Sequence, residues 1–208
     1  MTRKRVKRKV KHFAPVEHGQ HDDEELEQTL QRLKIEKWDW LLIGDGSGSN
    51  WGHECGWGCV AINRLTMDRP VFWGMMNRGT VNIAEMMAYL QALDFISAEE
   101  DKRKKHSGRS RTRNIHIITD SDYCCAQGSS DNLLPRKNGA RWRVFEDYQR
   151  HGLLLHWHHV CRTDVALNIY ADAISKAARH LVKAHSVQSM VETNGNGTVL
   201  RTVYDFNP

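Results

Sequence analysis

No apolar run in the 208-residue chain approaches the ~20 residues that cross a bilayer. The charged start, "TRKRVKRKVK", is followed by no apolar stretch of the kind a secretory signal carries. Cysteine is scarce. Cys55, Cys59, Cys124, Cys125 and Cys161 form no even framework, and a chain of this length needs none to hold a core. A paired Cys-x-x-Cys spacing is missing, so His53, Cys55 and Cys59, or His156, His158, His159 and Cys161, have the residue types of a zinc site without its spacing. "GDGSGSNWG" lacks the three-glycine dinucleotide fingerprint, and no Gly-Lys-Ser/Thr marks a phosphate loop. There are no internal repeats. These absences set aside membrane spans, disulfide scaffolds, zinc modules, Rossmann-type folds and solenoids. They leave a soluble chain of a reducing compartment, cytoplasmic or, in a eukaryote, nuclear.

What is present is uneven charge. Lys and Arg number 30 against 25 Asp and Glu, for a net charge of +5. The bases gather in two blocks, Thr2–Lys11 and Asp101–Arg113 ("DKRKKHSGRSRTR"). Such blocks suit a polyanionic partner, and they also read as solvated, disordered segments.

The pattern divides the chain into four parts. Residues 1–21 are a basic arm and linker ending in "FAPVEHGQH". Residues 22–38 are a satellite helix, acidic in its first turn, with Leu26, Leu30 and Leu33 on one face. Residues 39–184 are the main domain, and 185–208 a Gly/Asn-rich, peripheral tail. Within the domain, "WLLIGDGS", "GWGCVAINR" and "PVFWGMMNR" read as an antiparallel meander. A helix follows over Val81–Glu100, then the strand Asn114–Asp120, the helix "GARWRVFEDYQRH", the strand "LLLHWHHVC" and a last helix, "NIYADAISKAARHLVKAH". The expected fold is α/β: a five-stranded mixed sheet, three antiparallel strands then βαβα, with helices on both faces.

Four acids stand where a merely structural acid is awkward. Asp45 continues the apolar row Leu41–Ile43 by period two, and Asp120 ends "IHIIT" in the same way. Ligands in open α/β sheets bind beyond such strand ends. In the helix after the meander, Gln91 and Asp94 mark the wet side, and Glu85 lies roughly 180° from Asp94, toward the sheet. Taken alone, Glu85 also fits a first-turn acid complementing the helix dipole, and Asp172 fits an exposed partner of Lys176. Together, several carboxylates at one site repel unless divalent cations intervene, and hard oxygen ligands suit Mg²⁺ or Mn²⁺. Two such ions roughly 3.5–4 Å apart support in-line attack at phosphorus.

The same residues resemble the ribonuclease H family, of the bacterial and retroviral type 1 kind. "GDGSGS" is similar to its first-strand Asp-Gly-Ser and "GWGCVAI" to its Gly-aromatic-Gly strand. "TVNIAEMMAYLQAL" is similar to its Thr-x-Asn-x-x-Glu helix start, "IITDSDY" to its Thr-Asp-Ser strand end, and "NIYADAISKAA" to the helix of its last acid. The match runs in order from about Asp39 to Lys183. It implies that Asp45, Glu85, Asp120 and Asp172 bind two Mg²⁺ ions, with Mn²⁺ able to substitute. It further implies that Ser47, Asn50, Asn82, Ser121 and Asn168 face the substrate, an RNA/DNA hybrid whose RNA strand the family cleaves to 3′-hydroxyl and 5′-phosphate ends. Hybrid recognition of this kind rests on duplex shape and 2′-hydroxyls. Two alternatives stay open: a DNA nuclease of the integrase or resolvase kind on the same fold, and a non-catalytic nucleic-acid platform.

The sequence departs from the family at two places. Where a Gly-His loop is expected, "VCRTDVALN" (Val160–Asn168) has no histidine, and Arg162 or Asp164 stands as its candidate substitute. The basic handle helix after Asp120 is also missing, and the Lys102–Arg113 block is a candidate for substrate grip from another side. The remaining features read as packing. The doublet Cys124-Cys125 belongs to a short helix rather than to a nucleophile, Trp142 is a core anchor, and Trp51 is a candidate for base stacking.

Overall fold

Leu41, Leu42 and Ile43 are fully buried, which places the first strand in the middle of the sheet with an apolar layer on either side. The computed structural model describes residues 20–48, 54–108, 111–129, 138–162, 164–181, 190–194 and 197–201. The Thr2–Lys11 arm, Asn50, Trp51 and His53 lie outside the described residues.

β1 (Trp40–Gly48), β2 (Cys55–Asn63) and β3 (Val71–Met76) form the antiparallel meander expected from the three short apolar runs. β4 (Arg113–Thr119) pairs parallel to β1, and β5 (Leu153–His159) parallel to β4. The mixed five-strand order is therefore β5-β4-β1-β2-β3. The Gly/Asn-rich tail adds to it: β6 (Met190–Asn194) and β7 (Gly197–Arg201) form a hairpin whose β7 pairs parallel with Val71–Trp73 on the outer edge of β3. The sheet of the described residues thus has seven strands.

Helices cover both faces. α1 (Gln20–Arg32) and α5 (Ala166–Leu181) lie on one side, where Leu26 and Leu167 join Leu41, Ile43, Val60, Ile62 and Ile118. α2 (Val81–Ser107), α3 (Asp122–Gly128) and α4 (Gly139–Arg150) lie on the other. There Trp142, Phe145 and Trp157 meet at ring-centroid distances of 5.0 to 5.6 Å, and Tyr89 meets Trp157 edge-on at 5.6 Å. Each such side chain removed from water contributes about 1.5–3 kcal/mol, so this aromatic knot is a principal anchor of α4. Trp142 is accordingly a core residue, as its sequence setting implies.

α2 starts at Thr80, whose hydroxyl oxygen accepts from the Ile83 amide at 3.3 Å. It runs seven residues past the apolar pattern, to Ser107, because the charged segment is itself helical. Lys102 pairs with Glu99 and Arg103 with Glu100, and Gly108 closes the helix in the left-handed region (φ 66°), its amide on the Lys104 carbonyl. Much of the second basic block is therefore the far end of α2, about 25 Å from Glu85 at 1.5 Å per residue. Arg113, which begins β4, is held by Asp39 and Glu100, at the end of the strand opposite Asp120. No helix among the described residues is long and apolar enough to cross a membrane.

Two glycines fix the position of α5. A Cβ on Gly56 would lie 2.3 Å from the Ser175 carbonyl oxygen, and one on Gly58 2.7 Å from the Ile174 side chain and 2.9 Å from the Ala171 oxygen. Only glycine lets the helix lie this close to β2. Trp57 between them faces the opposite layer, so the Gly-aromatic-Gly motif follows from the two faces of one strand.

Candidate active site

The parallel pairing of β1 with β4 matches Ile43 to Ile118; carried two residues further, Asp45 comes level with Asp120. β4 ends at Thr119 and its pairing with β1 stops after Ile43–Ile118, while β1 runs on to Gly48 beside β2, so the two carboxyl groups stand where the parallel strands part, at the carboxyl end of β4. Asp45 is 1% exposed and belongs to the face covered by α5. Glu85 arrives from the opposite face, in the first turns of α2. Its approach depends on Gly46, where a Cβ would lie 2.3 Å from the Glu85 amide nitrogen. Carboxylate oxygens of Asp45, Glu85 and Asp120 all fall within 4.8 Å of one another. The helical phase placed Glu85 against the sheet, and it is buried there.

α5 supplies the fourth acid and a residue that the sequence pattern did not single out. Ser175 is fully buried, and its hydroxyl donates to Asp45 Oδ2 at 2.5 Å. Its position three residues after Asp172 puts both on one helical face, the one sequence signal that could have found it. Asp172 faces the same mouth but also accepts from Lys176 Nζ at 2.6 Å, so the i,i+4 pair and the site position coexist.

A guanidinium enters this acidic cluster. Arg162 Nε donates to Asp120 Oδ2 at 2.8 Å, Nη2 lies 3.6 Å from Asp45 Oδ1 and Nη1 3.8 Å from Asp172 Oδ1. Of the two residues that could stand in for the expected histidine, Arg162 points into the cluster, whereas Asp164 pairs outward with Arg32 at 3.2 Å.

Charge at the site is under-compensated. Burial, and then the Asp120 and Asp172 charges, push the Asp45 carboxyl up from 3.8 to about 6, against the opposing pull of the Ser175 hydrogen bond and Arg162. Glu85 is raised well above its ordinary value by burial first and then by Asp45 and Asp120, although its carboxylate is hydrogen-bonded to the Gly46 backbone. The fork of Arg162 is held more firmly protonated, chiefly by its hydrogen bond to Asp120. Asp45 Oδ1, Glu85 Oε2 and Asp120 Oδ1 are buried oxygens with no hydrogen-bond donor. Anionic oxygens left unmatched at one point are costly without a cation, and an all-oxygen donor set fits Mg²⁺ or Mn²⁺.

The remaining sequence candidates fall into distinct places. Ser47 is nearly buried at the end of β1, and Asn82 is half-buried at the start of α2. Ser121 caps α3, its hydroxyl oxygen accepting from the Cys124 amide at 3.3 Å. Asn168 is fully buried, and its Nδ2 donates to the Arg162 carbonyl at 3.2 Å, so it holds the Arg162 loop from beneath. Burial first, and Glu85 second, push the Cys124 thiol up to about 12, which leaves it no thiolate for nucleophilic work at neutral pH. His156 and His158 share a face, as the alternation implies, and both stack on His116 at 4.6 and 5.1 Å.

Sheet order, helix placement and the acids at the carboxyl edge define a mixed α/β domain with an anionic site. Its fold is that of ribonuclease H. The structure is similar to an RNase H1 from compost, LC11, solved with an RNA/DNA hybrid: TM-score 0.55 at 14% identity, covering 70% of this chain and 99% of that one. It is similar to the N-terminal RNase H domain of Rv2228c from Mycobacterium tuberculosis, with TM-score 0.54, 17% identity and coverage of 71% and 97%. A foamy viral protease–reverse transcriptase in complex with an RNA/DNA hybrid gives TM-score 0.51 at 16% identity, over 86% of this chain and 22% of that one. No protein-family model matches the sequence. No curated protein matches it either.

Proposed function

We propose that the chain is a metal-dependent endonuclease that hydrolyses the RNA strand of RNA/DNA hybrids. The carrying observation is the convergence of Asp45, Glu85 and Asp120, each with a buried oxygen that no hydrogen bond satisfies. A purely structural cluster would be selected to satisfy those oxygens with donors, whereas a cation site keeps them free. The structures similar in fold include proteins solved with RNA/DNA hybrids, which supports this substrate class.

Asp45, Glu85, Asp120 and Asp172 would hold two Mg²⁺ ions, or Mn²⁺ in their place. Bound there, the ions supply activation of the attacking water and neutralise charge on the leaving oxygen of an in-line displacement at phosphorus. The protein's own contribution is preorganisation. Ser175 fixes the rotamer of Asp45 by its hydrogen bond, and Tyr89 braces β1, its hydroxyl donating to the Gly44 carbonyl at 2.7 Å. Asn82, Ser47 and Ser121 would be the groups that read sugar and phosphate, whereas buried Asn168 would act through the loop it holds. Contacts of this sort give shape recognition without base specificity.

Cleavage of an end-labelled RNA/DNA hybrid in Mg²⁺ and in Mn²⁺ tests the reading. Double-stranded DNA, double-stranded RNA and single strands serve as competing substrates, and Asp120→Asn as the control protein. RNA-strand cuts absent from the control support it. Cutting of DNA alone transfers the site to the integrase–resolvase class. Hybrid binding without any cutting leaves a nucleic-acid platform.

A further inference from the structure

The acidic cluster divides into two parts that share Asp45 and Asp120. On the inner side these two meet Glu85, with carboxylate oxygens within 4.8 Å of one another; Glu85 Oε2 and Asp120 Oδ1 have no hydrogen-bond donor and are not oxygens that Arg162 pairs with, whereas Asp45 Oδ1 is shared with the outer side. On the outer side they meet Asp172, and there the Arg162 guanidinium reaches all three, at 2.8, 3.6 and 3.8 Å. Arg162 makes no contact with Glu85 among its ion pairs. We infer that Arg162 is a resident cation of the outer subsite: it balances Asp45, Asp120 and Asp172 in the metal-free protein and must withdraw before a second divalent ion binds, while the inner subsite fills without displacing it. The inference rests on the metal-dependent reading of the site and assigns its regulation.

Three features make the exchange feasible. The Arg162 side chain is 55% exposed, so it can turn into solvent without opening the core. Its backbone is anchored, the carbonyl accepting from Asn168 Nδ2 and the loop closed by the Asp164 amide on the Cys161 carbonyl at 3.0 Å. Withdrawal is thus a rotamer change rather than a loop movement. Finally, guanidinium and divalent ion are mutually exclusive ligands of the same oxygens, so the apparent affinity of the outer subsite falls by the fraction of molecules in which Arg162 is out. Filling becomes ordered, inner subsite first, and the second step sets the metal concentration at which the paired site is complete.

The test is calorimetric titration of Mn²⁺ into the full chain without nucleic acid, for the native protein, Arg162→Gln and Arg162→Lys. The native protein should show one tighter and one weaker event. Arg162→Gln should strengthen the weaker event by about tenfold and the tighter one by much less, with a lower melting temperature in chelator. A lysine keeps the charge, but its compact ammonium lacks the planar fork whose three nitrogens each face a different carboxylate, so Arg162→Lys should fall between the two. A weaker event within twofold of the native value in Arg162→Gln overturns the inference and leaves the metal site intact. Equal strengthening of both events also overturns it, because that result marks a general field rather than occupancy of one subsite. Absence of any Mn²⁺ event in all three proteins removes the metal-dependent reading, and the inference with it.

Discussion

Asp45→Asn should make the metal-free protein more stable while removing its response to metal. Asp45 is 1% exposed, and its carboxyl is raised from 3.8 to about 6, mainly by burial. A group raised in this way binds its proton more tightly in the folded state. The cost of keeping it ionised is therefore fully present above pH 6 and disappears as the pH falls toward 4. Two pK units correspond to about 3 kcal/mol at neutral pH. Asparagine keeps an oxygen to accept from Ser175, and its amide can donate to the adjoining carboxylates. The rise to about 6 already contains the opposing pull of Arg162 at 3.6 Å, so losing that partner takes nothing further from the gain. A net stabilisation of about 3 kcal/mol follows, or roughly 6–12 °C in melting temperature for a chain of this size. Thermal unfolding at pH 7.5 in chelator reads the difference, and a pH series reads its origin: the gap between the two proteins should close between pH 6 and 4. Added Mg²⁺ should raise the melting temperature of the native protein only. A variant that melts below the native protein in chelator, or a gap that does not change with pH, would refute the reasoning.

Ser175→Ala removes the donor to Asp45 Oδ2 and should cost about 1–3 kcal/mol by urea unfolding, with a smaller cost in the Asp45→Asn background, where no buried charge is left unmatched. Gly46→Ala places a methyl group 2.3 Å from the Glu85 backbone nitrogen, so the start of α2 must shift. A loss of about 1–3 kcal/mol is expected, and hybrid cleavage should fall further than the stability loss explains, because Glu85 moves with the helix. His116 lies in a stack with His156 and His158, and its pKa is lowered from 6.5 to about 4, by burial first and then by those two rings. The unfolded chain binds that proton more readily, so stability should drop by about 2 kcal/mol as pH falls from 6.5 to 4. The slope is best measured as the difference between the native protein and His116→Gln, in which the opposing slopes of Asp45 and Glu85 cancel, and a difference that does not change with pH would show that the ring stack carries no such penalty.

The candidate site was legible to the extent that it depends on neighbours in sequence. Period two places Asp45 in the row of Leu41 and Ile43, and helical phase turns Glu85 from Asp94, whatever the rest of the chain does. The same local rules mark out the five strands of the core and their succession along the chain, while their order in the sheet is set by the tertiary pairing. They fail for the tail, because "ETNGNGTVLR" has the composition of a loop and becomes a hairpin only against the open edge of β3. They fail likewise at the end of α2, where a charged run continues the helix through pairs that an apolar pattern does not register.

What the sequence by itself determined is which residues carry charge and toward which face of its own strand or helix each one turns, since both follow from spacings of two to four residues. Tertiary structure alone decided the partners. Nothing in "VCRTDVALN" distinguishes Arg162 from Asp164, yet one enters the carboxylates and the other meets α1. The spacing in "ADAISKAA" puts Ser175 on the face of Asp172 but does not name its partner, an aspartate 130 residues away. That contact exists because Gly56 and Gly58 let α5 rest on β2. Electrostatic coupling depends on distance and burial, and for groups far apart in the chain both are set only when the layers close.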